Sequence, residues 1–495
     1  MSSYLIMNPL GFPILSTTIF LPLVGVLFLL LLKGENAIKI TALITTIATL
    51  IMSLLLFSKF DSGTHLFQFG EKMAWIPDYN ITYILGVDGI SIMLIVLTAI
   101  ISPMCVLCSW TAIEKRVKEF MICVLLMETA MIGVFCSLDF ILFYVFWEAM
   151  LIPMYLLIAI WGGPNKDYAS IKFFIYTLFG SVFLLVGIIA IYLHNGTFNI
   201  PEAMFRSDYS FNFQIWVFLG FALGFAIKVP MFPFHTWLPA AHTEAPTAGS
   251  VFLASILLKM GTYGFIRFCM PITPQASMYF TPVMLVLSVI AIIYGGFVCL
   301  SQTDMKKLIA YSSVAHMGFV TLGLFTFTYY GFVGAMLQML NHGITTGALF
   351  LCVGIIYERT HSRQIFDNAG LSNITPIYVG FFGLFALSSF AFPGTNSFVG
   401  ELYVLVGTFM KSKTAGFFTI VGAVLAAAYM LRLLKNIAWG REDKRDIKDL
   451  NIREFIYLLP LAVFVLWVGF FPSPFVKVMD ATLNNLYTQL QHIKL

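Results

Sequence analysis

Apolar runs of the length a helix needs to cross a bilayer, about 20 residues, follow one another almost without pause from residue 14 to residue 475. The chain is 59 % hydrophobic and 11 % charged over 495 residues. Soluble domains carry about 25 % charged residues, so a soluble fold is excluded. An integral membrane protein is the class that remains. The net charge of +4 is spread over loops, which gives no basic face for nucleic acid.

The spacing predicts an all-α polytopic membrane protein of about 14 transmembrane helices. They fall near 14–32, 38–58, 89–110, 119–137, 140–161, 169–193 and 212–241, then 246–268, 280–300, 306–326, 330–357, 375–410, 414–437 and 455–475. A long polar connection, 59–88, precedes the third. The first has no basic leader and no small-residue cleavage site, and is expected to be a retained helix. Sorted by alternating loops, one side holds 18 Lys and Arg and the other 8, with two lysines left inside spans. The positive-inside rule then places the basic loops in the cytoplasm and both termini on the periplasmic side.

Two spans are interrupted. The 212–241 run is broken by Pro230 and Pro233, and the 375–410 run at Pro393-Gly394-Thr395-Asn396. Gly220-Phe-Ala-Leu and Gly383-Leu-Phe-Ala-Leu stand ten residues before Pro230 and Pro393 respectively. Paired discontinuous helices at a five-span period point to inverted repeats with a binding or transport path between them. The domains predicted are 1–118 (three N-terminal helices), 119–268 and 280–437 (the two repeats), and 438–495 (a cytoplasmic loop, the last helix and a tail).

Charge at membrane depth is the second constraint. A lysine at the centre of a span costs roughly +2.5 to +3.5 kcal/mol even on lenient insertion scales. Lys228 and Lys259 both lie in apolar runs, with His235, His242 and Glu244 in the proline-broken stretch between them. Snorkelling from a helix end is the alternative for Lys259, which lies deeper in its run. Glu148 sits mid-span, and Lys228 is its obvious partner; at about 4 Å in an effective dielectric of about 20 the pair would interact by about 4 kcal/mol. Opening and closing that pair could load and unload a proton, although a static salt bridge would look the same in sequence. His316 and His342 lie mid-span on consecutive helices, where imidazoles suit either a proton relay or a hydrogen-bonded core. Glu401 follows the second break and is the expected last carrier, with Glu128 as a candidate accessory. His235, His242 and Glu244 fit a cytoplasmic access path or simple capping. Gly343 and Gly347 fit close helix packing.

Other chemistries find no support. The seven cysteines lie in or beside apolar runs and read as buried small hydrophobes. Cys105 and Cys108 form a CxxC with no second pair and no nearby His. No iron–sulfur pattern, metal-ligand spacing, nucleotide loop or nucleophile–base pair is present, so no cofactor and no metal is expected in this chain.

FWEAMLIPMYLLIAIWGG (146–163), KVPMFPFHTWLPAAHTEAPTAGSVFLASILLKMGTYGFIRF (228–268), YSSVAHMGFV (311–320), LNHGITTGALFLCVGIIYERTHSR (340–363) and FPGTNSFVGE (392–401) resemble the proton-translocating, antiporter-like subunits of respiratory complex I, NADH-quinone oxidoreductase, and among them the chain M branch. The resemblance covers essentially the whole chain. It implies a fourteen-helix fold, two inverted five-helix repeats, broken seventh and twelfth helices and a hydrophilic axis along the membrane midplane. It places an essential pair on Glu148 and Lys228, a central lysine on Lys259, linking positions on His316 and His342, and an outward carrier on Glu401. It also implies antiporter-like membrane neighbours on both sides, a bacterial inner membrane, and NADH, FMN, iron–sulfur clusters and quinone held by other subunits. Related Mrp-type sodium/proton antiporter subunits share the fold and often carry lysine where Thr346 stands here. A subunit of such an antiporter, or a stand-alone secondary ion transporter, is therefore the alternative.

Overall fold

A computed structural model describes residues 4–204, 206, 208–440 and 447–493. Of the loop charges counted above, Arg441, Lys444, Arg445 and Lys494 lie outside these residues. Among the described residues, twelve helices are long and apolar enough to cross a membrane, or up to thirteen if the bent pair Phe366–Asn373 and Pro376–Ser389 is one span. The expected count of fourteen is not reached on that criterion. Two expected spans fall outside the twelve: 306–326, which is the helix Met305–Leu324, and 375–410, which is split into Pro376–Ser389 and Asn396–Lys411.

The helices sort by how much of them faces lipid. Ile14–Leu31, Glu35–Ser58, Lys166–Asn195, Thr281–Ser301 and Lys413–Ala438 are less than half buried and strongly apolar, as lipid-facing surface requires. Thr247–Ile272 and Tyr329–Thr360 each contain an 18-residue stretch that is entirely buried. These two carry Lys259 and His342, so the most costly side chains stand on the innermost helices.

The chain is not purely helical. The polar connection 59–88 folds into strands Phe67–Ile76 and Ile81–Val87, paired antiparallel with Glu71 opposite Leu85 and Ala74 opposite Thr82. Leu5–Met7 adds to the first of them in parallel. The hairpin has a structural task. Ile14–Leu31 begins at Pro13 with no side-chain cap. The Glu71 carboxylate accepts instead from the N–H groups of Leu15 (2.8 Å) and Ser16 (3.1 Å) and from the Ser16 hydroxyl, satisfying donors that a helix start leaves open.

Both expected helix breaks are present. Phe211–Lys228 stops before Pro230 and the chain resumes as Trp237–Glu244. Pro230 cannot donate to the helix ladder, and the indole N–H of Trp237 takes up the carbonyl of Ile227 at 2.9 Å. At the second break Gly394 adopts φ +89°, a left-handed backbone that favours glycine. Thr247–Ile272 holds two further irregularities, π-helical turns at Leu253–Leu257 and Phe265–Cys269 on either side of Lys259.

Candidate proton path

Lys259 is fully buried. A π-turn widens the helix and leaves carbonyls without a regular ladder partner. The ammonium of Lys259 donates to Ala254 O in the first of these turns, and its Nζ also lies 2.5 Å from Nδ1 of His342. The rings of His342 and His316 are 5.7 Å apart between centroids. Nδ1 of His316 is 3.2 Å from Oε1 of Glu401, and its Nε2 is 3.3 Å from the hydroxyl of Ser389. Lys259, His342, His316 and Glu401, read separately from the sequence, therefore form one buried line between the Lys259 helix and the second break.

Polar side chains that the sequence reading passed over hold this line in place. Gln338 Nε2 donates to Glu401 Oε1 at 3.1 Å. Asn396 Oδ1 accepts from the Ser388 hydroxyl (2.5 Å), the Thr345 hydroxyl (3.3 Å) and the Ser397 N–H (2.9 Å). Asn341 Nδ2 donates to Asn396 O at 2.7 Å. Gln338, Asn341 and Thr345 recur at i, i+3 and i+7 on one helix, a polar stripe that periodicity alone could have revealed. Gly343 and Gly347 allow the close approach expected of them: a Cβ at Gly343 would stand 2.9 Å from Ser255 O, and one at Gly347 2.4 Å from Ser255 Oγ.

Glu148 and Lys228 make no ion-pair contact. Lys228 is buried, with its ammonium 5.2 Å from the centre of the Trp147 ring. Glu148 is only half-buried, with Oε1 unpartnered, on a helix face that also exposes Val145 and Ile152. Glu128 is also set apart. It is fully buried, neither oxygen has a partner, and no hydrogen bond joins it to the Lys259 line.

The three residues of the first broken stretch divide between the two readings. Glu244 accepts from the Asn165 N–H at 3.0 Å, at the start of Lys166–Asn195, which is a capping contact. His242 is fully buried with both ring nitrogens unpartnered and lies flat on Phe350, centroids 4.6 Å apart. His235 packs on Phe232 and Tyr294 with Nδ1 unpartnered. A cavity of about 490 Å³ on the side of the basic loops is lined by Thr243, Glu244, Lys306, Glu358, His361 and Arg363.

Two charges read as loop residues are buried. Lys306 donates to Ala245 O at 2.5 Å. Arg267 pairs with Asp88 at 2.6 Å, the two side chains 3 % and 1 % exposed, and also reaches Ser91 and Tyr263. Asp88 directly precedes the apolar run of Gly89–Ala112 and caps it through the N–H groups of Ile90 and Ser91. An acidic residue at that position signals an N-cap, but its basic partner stands 179 residues away. All seven cysteines are buried thiols, and among the described residues no group of three or more His, Cys, Asp or Glu could hold a metal ion.

Residues 137–426 match the family described as NADH:quinone oxidoreductase/Mrp antiporter, TM, and residues 17–134 that described as NADH-ubiquinone oxidoreductase chain 4, amino terminus. The chain is 43 % identical over 492 residues to NADH-ubiquinone oxidoreductase chain 4 of Chondrus crispus, covering 98 % of this chain and 100 % of that one. It is 42 % identical over 488 residues to NADH-quinone oxidoreductase subunit M of Rickettsia bellii, covering 96 % and 99 %. A chain of respiratory complex I from Thermus thermophilus with bound NADH superposes with a TM-score of 0.88 at 29 % identity, covering 96 % of this chain and 99 % of that one. With a buried Lys–His–His–Glu line inside a multi-span helical bundle, this chain belongs to the NADH:quinone oxidoreductase/Mrp antiporter transmembrane family.

Proposed function

We propose that the chain is a proton-translocating membrane subunit of an NADH:quinone oxidoreductase, driven by redox chemistry in other subunits. The observation that carries the reading is the buried line from Lys259 through His342 and His316 to Glu401. Each member can exist with one proton more or fewer, and each stands beside the next. Lys259–NH₃⁺ can pass a proton to Nδ1 of His342, and Nε2 of His342 can release one toward His316. The gap between the two rings is a step that one water molecule can bridge. Glu401, at the second break, receives the proton from His316 and delivers it to the far side. No bond other than N–H and O–H is made or broken, so this chain needs no redox centre of its own. NADH, FMN, iron–sulfur clusters and quinone are then the business of other subunits.

Glu148 and Lys228 would supply the coupling. Their lack of ion-pair contact would be one state of a pair that closes and opens, and half-buried Glu148 would face an antiporter-like neighbour. His242 and the cavity beside Lys306 would give Lys259 its supply from the basic side, with His235, Glu244 and Glu128 as accessories. The two breaks mark two inverted repeats, 119–268 and 280–437, within a fourteen-span fold. The basic loops face the cytoplasm of a bacterial inner membrane and both termini the periplasm.

In the assembled complex in liposomes, Glu148→Ala and Lys228→Ala are each expected to abolish proton uptake while the complex still forms. Wild-type translocation by an assembled Glu148→Ala complex would overturn the mechanism. The family description also covers Mrp antiporters, which favours a second reading as an antiporter subunit. Purification in mild detergent separates the two, since flavin and iron–sulfur chains co-purify only under the first.

A further inference from the structure

Glu401 ends a side chain with three rotatable bonds, on a helix whose other faces expose Leu402 and Val406 to lipid. Something must hold its carboxylate on His316. Gln338 is buried, 1 % exposed, and its amide N–H donates to Oε1 of Glu401 at 3.1 Å, the oxygen that His316 Nδ1 meets at 3.2 Å. A carboxylate oxygen has two lone pairs, so both neighbours can be served at once. An amide neither gains nor loses a proton near neutrality, so Gln338 can fix the geometry without carrying anything.

A second, independent observation concerns the residue before Glu401. A Cβ at position 400 would stand 2.7 Å from Gln338 Oε1, 3.0 Å from Asn341 Nδ2 and 3.1 Å from the Gln338 backbone nitrogen. Only glycine lets Asn396–Lys411 come this close to Tyr329–Thr360. The Asn396 hydrogen bonds to Ser388 and Thr345 then tie both halves of the broken helix to the same partner. Gln338 Oε1 and Glu401 Oε2 are buried and, among the described residues, have no hydrogen-bond partner of their own.

We infer that Gln338 is a positioning residue of the relay: its amide, seated in the slot left by Gly400, holds the Glu401 carboxylate on the ring of His316. The inference rests on the proton-relay reading above. It is tested in the reconstituted complex with Gln338→Leu, Gln338→Met and Gln338→His, measuring proton translocation per assembled complex beside Glu401→Gln. Leu and Met keep the bulk and remove the donor, and proton translocation should fall about tenfold or more, the equilibrium worth of a hydrogen bond to a charged group. His restores an N–H donor at similar reach and should recover most of the loss. Wild-type translocation with Leu or Met would overturn the inference. So would equal losses in all three variants, which would make the role one of packing, or failure of all three to assemble, which would make it one of folding. The two readings fail separately: an active Glu401→Gln complex removes the relay itself, whereas an inactive one beside a fully active Gln338→Leu removes only the positioning role.

Discussion

Lys259→Met offers the sharpest test of the proton path, because its effects on stability and on function should part company. The substitution keeps a flexible, unbranched side chain. It leaves two buried acceptors open, Ala254 O and Nδ1 of His342, each costing about 1–3 kcal/mol. Against this it removes a buried ammonium that has no carboxylate in ion-pair contact, a burden of roughly 2.5–3.5 kcal/mol on insertion scales. The two terms oppose each other, so the complex should still assemble, with a net change between about 1.5 kcal/mol of gain and about 3.5 kcal/mol of loss. Proton transfer has no such compensation: removing a positioned proton-transfer group slows the step by about 10²–10⁴-fold. The assay is proton uptake by reconstituted complex, followed with a pH-sensitive dye and normalised to electrons passed. Lys259→Arg completes the test, since a guanidinium keeps the charge but does not release its proton. Translocation at the wild-type rate with Met would refute any role for this side chain. The same result with Arg would refute proton exchange and leave Lys259 only a fixed charge.

Two further outcomes follow from geometry outside that path. Asp88→Asn preserves an acceptable helix cap but leaves the Arg267 guanidinium buried without its counter-ion, and should destabilise the subunit by about 3–5 kcal/mol. Thermal unfolding in detergent measures this, and pairing it with Arg267→Met should recover most of the loss; a single substitution within about 0.5 kcal/mol of wild type would show that the pair does not matter. Tyr83, on the hairpin beside Ser16 and Glu71, has its phenol pushed up to about 12, mainly by burial, with the Ser16 hydrogen bond opposing. Its folded form holds the proton more tightly than the unfolded chain, so the associated stability is complete below about pH 10 and is lost as pH rises toward about 12. Tyr83→Phe should flatten that alkaline limb in pH-dependent unfolding, and an unchanged limb would assign it to other groups.

How far the sequence carried depended on whether each residue's surroundings were lipid or protein. Lipid-facing helices such as Thr281–Ser301 must be apolar all along, and hydropathy finds them directly. Met305–Leu324 carries Lys306, Ser312, Ser313 and His316 and is almost entirely enclosed by other helices. It fails a test of apolarity for the same reason that it bears a relay residue. The hairpin in 59–88 was missed because one strand exposes Met73, Trp75 and Ile76, which blurs the alternation that marks a strand. The π-turns beside Lys259 left no trace, since their residues are ordinary helix formers and only the path of the backbone differs.

The same contrast explains why the site residues were easier to identify than to pair. Thr247–Ile272 and Tyr329–Thr360 are the most deeply buried and, with Phe211–Lys228, the least apolar of the twelve spans. In a bilayer a polar side chain is retained only where protein or water surrounds it, so low apolarity within a span reports interior position and thereby flags Lys228, Lys259 and His342. It says nothing of which neighbour each one meets. His342 meets Lys259 across 83 residues and His316 meets Glu401 across 85, while Glu148 and Lys228, 80 positions apart, do not touch. Those distances depend on how the two broken helices lean on their neighbours, and at the second break that lean is set by a glycine, an asparagine and a glutamine whose one-dimensional pattern carries no charge to draw attention.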